Sequence, residues 1–583
     1  MKILRISIIA LLASLFTTSC DFLDKEPTEL ALDEYFKTPE EASSFLTGTY
    51  AILSQPTFYG GDYMYLVAGD DLSHYGGSGR GPASTGLICN NATTSDNAVT
   101  NFWYLLYVGV NRANIFLENI NKVEGFSTGV KEQYIAEARF LRAFYYFNLV
   151  ECWGDVPFKT TSTQDVKNLD APRTDKQEIY DFIVNEMADA AETGLKSAAE
   201  LSYLPGRISK STAWGILARV YLFRAGEHFR ENRAANQAEV KDYFEKASFY
   251  AQKVTAEGHA LADNYWDFFI DLCSNQYNTT ANESIWEIEF AGNNTSDTQA
   301  EGRIGNIIGL AGPDLSSKSS IKGKADPGYS YAFIYSTPKL YNLYVKNGDI
   351  NRFNWSITPF EYKESGGKNT GVTHREFEMG KLAQVMTQYG PKSYQYNGDI
   401  EKTKATTNYS RMCGKYRREY EADKKDKNFT SINFPVLRYA DVLLMIAEAE
   451  NEANNGPTDL AYTCINDVRE RAGLDDLPKN MSQTEFRQAV KDERGMELCF
   501  EYTRRFDLIR WGEFVKNMQA LVPAAQSGEN WNLGPTNVYT YLPGRSGALL
   551  PLSPLRTVHE SFQSYGSSSV KFLFNRNQLI VTS

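Results

Sequence analysis

Glu493, Glu497, Glu501, Arg504, Arg505, Asp507 and Arg510 crowd one stretch of eighteen residues. Two carboxylates placed across a sugar bond could act as general acid and general base in glycoside hydrolysis. The spacing points elsewhere. Glu493, Glu497 and Glu501 recur every four residues, with Arg505 four further on, which is the interval of side-chain pairs that stabilise a helix face. Glu448, Glu450 and Glu452 lie two apart and cannot share one face, so a solvated face or partnership with Arg469 and Arg471 is expected. The five histidines (His74, His228, His259, His374 and His559) form no HExxH, and neither a GxSxG elbow nor a Walker loop occurs. No catalytic residue is assigned. The enzyme alternative, a surface glycosidase or polysaccharide lyase on an all-α frame, would rest on Glu497 or Glu501.

Aromatic residues carry a different chemistry. Between Pro327 and Tyr396 stand 9 Tyr, 4 Phe and 1 Trp in 70 positions, which is 20% against 13% for the whole chain. Sugars present apolar C–H faces and polar edges, and flat rings with a polar tip suit both. Tyr329, Tyr331, Trp355 and Tyr394 are the candidates to line a site, drawn from a pool that also holds Tyr362, Tyr389 and Tyr396. Residues 69–82 read GDDLSHYGGSGRGP, where glycine permits close backbone approach and Asp70, Asp71, His74, Tyr75 and Arg80 could grip hydroxyls. Asn101, ahead of Trp103 and Tyr107, is a further polar candidate.

Two kinds of sequence must position these residues. Helical periodicity runs through 130–153, 209–226, 239–258, 436–455, 458–473 and 482–515, with small Ala or Gly at positions where helices approach and Tyr, Leu or Phe filling the next gap. Helix pairs of this small/large pattern resemble tetratricopeptide repeats, with 209–258 the best fit and 98–152, 174–228 and 436–473 as further pairs. The predicted fold is mainly α: a tetratricopeptide-like helical repeat scaffold over about 30–54, 98–258 and 436–520. Residues 55–97 and 260–435 lack that periodicity, and the second is too long for one loop. It reads as a large irregular insertion of loops, short strands and helices, with ESIWEIEF (283–290) as one strand.

The first twenty residues, MKILRISIIALLASLFTTSC, combine Lys2 and Arg5 with an apolar run from Ile6 to Phe16 that is too short to span a bilayer. Residues 1–19 read as a signal peptide, and Cys20 as the acylated cysteine of a lipobox, with Thr17 where Leu is commonest. More than one acyl chain makes such anchoring stable, at about 0.8 kcal/mol per buried methylene. Acidic residues outnumber Lys and Arg by 72 to 60, a net charge of −12, and loss of Lys2 and Arg5 makes it −14. That balance argues against nucleic acid as a partner. Six further cysteines (Cys89, Cys152, Cys273, Cys413, Cys464 and Cys499) lie far apart with no CxxC, so neither a zinc site nor an assignable disulfide follows; Cys464 and Cys499 read as core. No cofactor is expected, and bound Ca²⁺ has no ligand pattern to rest on.

Six blocks in order now carry a resemblance: Cys20-Asp21-Phe22-Leu23-Asp24, EARFLRAFYYFNLVECWGDVP (137–157), STAWGILARVYL (211–222), RYADVLLMIAEAEN (438–451), INDVRERAG (465–473) and ERGMELCFEYTRRFDLIRWG (493–512). Together they resemble the SusD/RagB family of Bacteroidetes outer-membrane nutrient-binding lipoproteins. The resemblance implies one SusD-like domain over 20–583, anchored to outer-membrane lipid through Cys20 and facing the cell exterior. It implies capture of an oligosaccharide, or in some members a peptide, and delivery to a TonB-dependent SusC-like transporter. It also implies that the helical repeats serve as scaffold and transporter contact while 55–97 and 260–435 form the ligand site, and it carries a ligand-binding role onto Asp71 and Arg80. The tail departs from the family pattern: LLPLSPLRTV (549–558) is not followed by the usual acidic, Asn-Pro-Gly-Tyr-like ending.

Overall fold

A computed structural model of the chain describes residues 35–67, 69–75, 97–163, 171–231, 237–277, 281–290, 302–312, 314–317, 326–358, 364–365, 368–369, 411–421 and 425–526. The N-terminal signal segment, Cys20, Arg80, Tyr362, Tyr389, Tyr394, Tyr396 and the tail beyond 526 lie outside the described residues.

The frame is helical, as the periodicity predicts. After α1 (Pro39–Tyr50) and the short α2 (Tyr63–Val67), long helices follow: α3 (Asn97–Asn119), α4 (Val130–Trp153), α5 (Lys176–Thr193), α6 (Lys210–Glu231) and α7 (Gln237–Thr255). Each of α3 to α6 packs on the next in the chain. Gly109 on α3 shows why small residues recur: a Cβ there would stand 2.6 Å from the Tyr145 ring of α4. Pairs continue at the other end of the chain with α11 (Tyr439–Ala453), α12 (Asp459–Arg471), α13 (Gln483–Glu497), α14 (Arg504–Arg510) and α15 (Phe514–Gln526). Helix α11 lies against α7, which joins the two helical blocks.

Caps set several boundaries. Asp175 and Thr458 accept backbone N–H groups at the starts of α5 and α12, and Ser482 forms a capping box with Glu485 at α13. Gly154, at φ 72°, ends α4 where the sequence predicts a stop.

Two predicted boundaries move. Helix α6 runs through Gly226 to Glu231 rather than ending there. The glycine serves packing instead, since a Cβ at Gly226 would stand 2.4 Å from the Arg510 carbonyl of α14. The predicted helix over 482–515 breaks at 498–503, where Phe500 and Tyr502 take φ of 63° and 65°. Glu501 therefore leaves the α13 face that the four-residue spacing assigns it.

The region 260–435 holds short elements between loops: α8 (Tyr265–Cys273), α9 (Pro338–Asn347), α10 (Ile350–Ser356) and small two-stranded sheets. In chain order the strands are β1 (Ser73–Tyr75), β2 (Val156–Pro157), β3 (Arg173–Thr174), β4 (Ser284–Ile288), β5 (Ile334–Ser336), β6 (Glu364–Ser365), β7 (Lys368–Asn369) and β8 (Phe434–Arg438). The predicted strand around 283–290 is β4, paired antiparallel with β8. Residues 434–438, the first of which precede the predicted helix at 436, are strand, because they close that sheet before α11 begins. The pairing of β1 with β5 brings the loop at 69–75 onto the insertion, with His74 opposite Tyr335 and Tyr75 opposite Ile334.

Candidate functional site

The acidic helix is a buried ion cluster. Glu493, Glu497 and Glu501 are 1%, 0% and 7% exposed, so they face inward rather than along a solvated face. Among the described residues, five carboxylates (Glu283, Asp349, Glu493, Glu497, Glu501) meet five cations (Arg352, Lys415, Arg438, Arg469, Arg471). Glu497 lies at the centre: Arg438 reaches Oε1 at 2.6 Å, Arg352 reaches Oε2 at 2.8 Å, and Arg471 also binds Oε1. Burial would raise its carboxyl, but Arg471, Arg438, Arg352 and Lys415 outweigh it and hold the group well below the ordinary range. An acid so held has no proton to give near neutral pH. The other expected partners change too. Glu448 pairs with Arg510 at 2.5 Å, Glu452 with Arg487 at 2.5 Å, while Arg469 and Arg471 serve Glu493 and the Glu283–Glu497 pair.

The aromatic candidates divide. Residues 329–336 alternate along an extended segment: Tyr329, Tyr331, Phe333 and Tyr335 are half-buried, while Ser330, Ala332, Ile334 and Ser336 are buried. The rings touch in sequence. Tyr331 and Phe333 stack at 5.0 Å and 9°, and Tyr75 of β1 continues the stack against Phe333 at 5.4 Å and 27°. Tyr329 stands at 85° to Tyr331, also at 5.0 Å, and closes one end of the row. The polar rim is Lys427, 5.3 Å over the Tyr329 ring and paired with Asp314 at 3.1 Å, and Asn428, whose Oδ1 accepts the Tyr331 hydroxyl at 3.3 Å.

Rigid supports hold the row. Tyr331 and Phe333 donate backbone N–H to the carbonyls of Asn306 and Ile307 at 2.8 and 2.9 Å. Arg418, 2% exposed, donates to the Tyr329 carbonyl and to the carbonyls of Asp426 and Phe429, and so ties the rings to their rim. Gly328, at φ 76°, lets the chain pass Arg418, whose Cβ would stand 2.4 Å from any side chain there.

The remaining predicted site residues sit elsewhere. Trp355 is 1% exposed with the Arg417 guanidinium 3.8 Å over its ring, so its face is already taken and it acts as core. Tyr75 is 7% exposed and contributes one ring of the stack rather than a free hydroxyl edge. Asn101 is exposed on α3, outside the ring row. Asp71 is wholly buried and builds structure: Arg504 clamps both oxygens at 2.8 and 3.0 Å, and Lys339 and Asn517 reach Oδ2 at 2.5 and 3.3 Å. Burial alone would raise this carboxyl, but Arg504 and Lys339 bring it down to about 2. The clamp fixes β1 against β5 and so serves the rings from behind. Phe333, Tyr335, Lys427 and Asn428 escaped the sequence reading, although the period-two run Tyr-Ser-Tyr-Ala-Phe-Ile-Tyr (329–335) was there to be read.

Asp70 gives a pH test of this support. Its Oδ1 accepts the N–H of Leu72 and Ser73, and burial, with Asp71 beside it, pushes its carboxyl up to about 7. A folded value above the unfolded one means the protonated acid is favoured in the native state, and stability falls as pH rises from about 4 through about 7. At about 1.4 kcal/mol per unit the charge costs up to roughly 4 kcal/mol above pH 8. Asp70→Asn keeps the acceptor and removes the charge. Its urea midpoint should lie close to that of wild type at pH 4 and exceed it at pH 8; equal midpoints at both would refute the assignment.

Comparison with known proteins adds to this geometry. Residues 282–545 match the SusD family, and residues 21–222 match a family described as starch-binding and associating with the outer membrane. A SusD-like protein, P2, of Formosa agariphila is 27% identical over 525 residues, 88% of this chain and 91% of its own. A SusD homologue from Bacteroides thetaiotaomicron superposes with a TM-score of 0.70 at 27% identity, over 91% of this chain and 97% of the other. Surface glycan-binding protein A from the same species, solved with laminarihexaose, shares the fold with a TM-score of 0.58 at 18% identity, over 82% and 91% of the two chains.

Proposed function

Because the chain belongs to the SusD/RagB family, we propose that it captures oligosaccharides at the cell surface and passes them, uncut, to a TonB-dependent SusC-like transporter. The observation that carries this reading is the half-exposed ring row Tyr329–Tyr331–Phe333 with its Lys427–Asn428 rim. Rings of this kind cover the apolar faces of a sugar, and the rim and phenols answer its hydroxyls. The fold neighbour solved with laminarihexaose supports a glycan as cargo. Glu493, Glu497 and Glu501 support binding without cleavage, since each is committed to Arg or Lys. Calorimetry of the soluble chain from Asp21 onward against laminarihexaose and a panel of other glycans tests it. Heat of binding with no new reducing ends is expected; release of new ends, or silence across the panel while peptides bind, would overturn it.

Outer-membrane association fits the family matched by residues 21–222, and no helix among the described residues is long and apolar enough to cross a membrane. The attachment we propose is acylation of Cys20. Cys20→Ala should move the protein from the membrane pellet to the soluble fraction, because one or no acyl chain cannot hold it. Unchanged pelleting after a high-salt wash would exclude lipid anchoring.

A further inference from the structure

One backbone angle in the ring row is not that of a strand. Ala332, between Tyr331 and Phe333, has a φ of 47°. Steric clash makes the left-handed region costly for a residue with a Cβ. Asn tolerates it better than most and supplies four of the other described cases: Asn275, Asn282, Asn455 and Asn480. Ala332 has no such excuse, and it ends no helix.

The angle shapes the row. Two residues of regular strand advance about 6.6 Å, and side chains perpendicular to the strand keep that separation. The Tyr331 and Phe333 rings instead stand 5.0 Å apart at 9°, in contact. The left-handed step at Ala332 brings them together while both remain on the half-buried edge.

The surroundings impose the angle. Three successive N–H groups are fixed: Tyr331 donates to the Asn306 carbonyl at 2.8 Å, Ala332 to Ser330 Oγ at 3.1 Å, and Phe333 to the Ile307 carbonyl at 2.9 Å. Ser330 donates its own hydroxyl to that Asn306 carbonyl at 3.0 Å, so it bridges the carbonyl to the Ala332 N–H. Ser330 and Ala332 are 4% and 1% exposed, which places both behind the rings. Gly309 leaves them room, since a Cβ there would stand 3.2 Å from Ser330 Oγ. The buried Asn306 side chain donates to the Lys427 carbonyl at 2.8 Å, so ring pair and rim hang on one residue. Backbone strain that so many bonds over-determine is typical of ligand clamps.

We propose that Ala332 and Ser330 are positioning residues of the capture site. The left-handed angle, held by the Ser330 hydroxyl, sets the spacing of the Tyr331–Phe333 pair, and that spacing is part of what a glycan reads. Neither side chain touches the ligand. This role rests on the ring row being the capture site.

The first measurement needs no ligand. Fluorine NMR of a chain carrying para-fluorophenylalanine at position 333 reports the ring currents of its stacked neighbours, and Tyr331→Ala in the same labelled chain gives the unstacked reference. Ala332→Gly accepts the angle without a Cβ and should keep the wild-type shift. Ala332→Val places a β-branched residue where it is a steric outlier, and Ser330→Ala removes the bridge; both should move the shift towards the reference. The second measurement is calorimetry with laminarihexaose, or with the panel glycan of largest heat where laminarihexaose gives none. Ala332→Gly should bind as wild type, while Ala332→Val and Ser330→Ala should each lose about tenfold in affinity. Should Ala332→Val fail to fold, Ser330→Ala carries the test. A shift unmoved in the folded variants, or a moved shift with unchanged affinity, would overturn the proposal. Failure of the ring row itself is read on a different chain, as wild-type binding by Tyr331→Ala/Phe333→Ala, so the two fail separately.

Discussion

Glu497→Ala is expected to leave no stable native state. The side chain is 0% exposed and its two oxygens bind Arg352, Arg438 and Arg471, which come from α10, β8 and α12. Breaking a buried pair by removing one partner costs about 3–5 kcal/mol, because the other charge stays buried and uncompensated. Here three guanidiniums lose the same partner, and a domain has only about 5–15 kcal/mol to lose. Soluble yield and a circular-dichroism melt check it. The control is Glu452→Ala, whose partner Arg487 is 29% exposed, and which should cost no more than about 1 kcal/mol. Two similar melts would show that the central cluster is not the keystone described. Acid should act on the same cluster. Burial opposes ionisation of Glu497, but its cations win and its folded value lies below 4.5, so its contribution is present above that pH and lost as pH falls.

That cluster marks the limit of a linear reading. Periodicity located the helices because 3.6-residue spacing is a local property of the chain, and α4 matches its predicted span. The same spacing placed Glu493, Glu497 and Glu501 on one helix face, correctly for the first two. It could not show that this face turns inward, since Arg352, Lys415 and Arg438 reach it from 59 to 145 residues away. Asp71 is the same case at longer range: its partner Arg504 lies 433 residues further on. Read alone, an Asp in a glycine-rich loop looks free to bind a ligand; in the fold it is a clamp. Trp355 failed for a related reason. Its neighbours suggested a ring-lined site, whereas a tryptophan beside Arg417 at 3.8 Å is wedged into the core. Tyr329 and Tyr331 fall on one half-buried edge with Phe333 because strand alternation, like helical spacing, is local.

Tyr331→Ala/Phe333→Ala should abolish oligosaccharide capture while sparing the fold. Both rings are half-buried and both sit in the stack that Tyr75 and Tyr329 extend at either end. Removing the central pair deletes the contact surface and leaves a gap between the outer rings. At about 25 cal/mol per Å² of apolar area withdrawn from a ligand, two rings account for about 3 kcal/mol, on the order of a hundredfold in affinity. The backbone bonds of 331 and 333 to Asn306 and Ile307 do not involve the side chains, and Arg418 still holds the Tyr329 carbonyl, so the melting temperature should stay within a few degrees. Trp355→Ala is the opposite case. Its indole is 1% exposed, and emptying such a site costs about 3–5 kcal/mol of stability. Calorimetry and melting on both variants separate a binding surface from a core: the double variant should lose affinity and keep its melt, and Trp355→Ala should lose its melt. If Tyr331→Ala/Phe333→Ala binds glycan like wild type, the ring row is not the site, however well its chemistry suits a sugar.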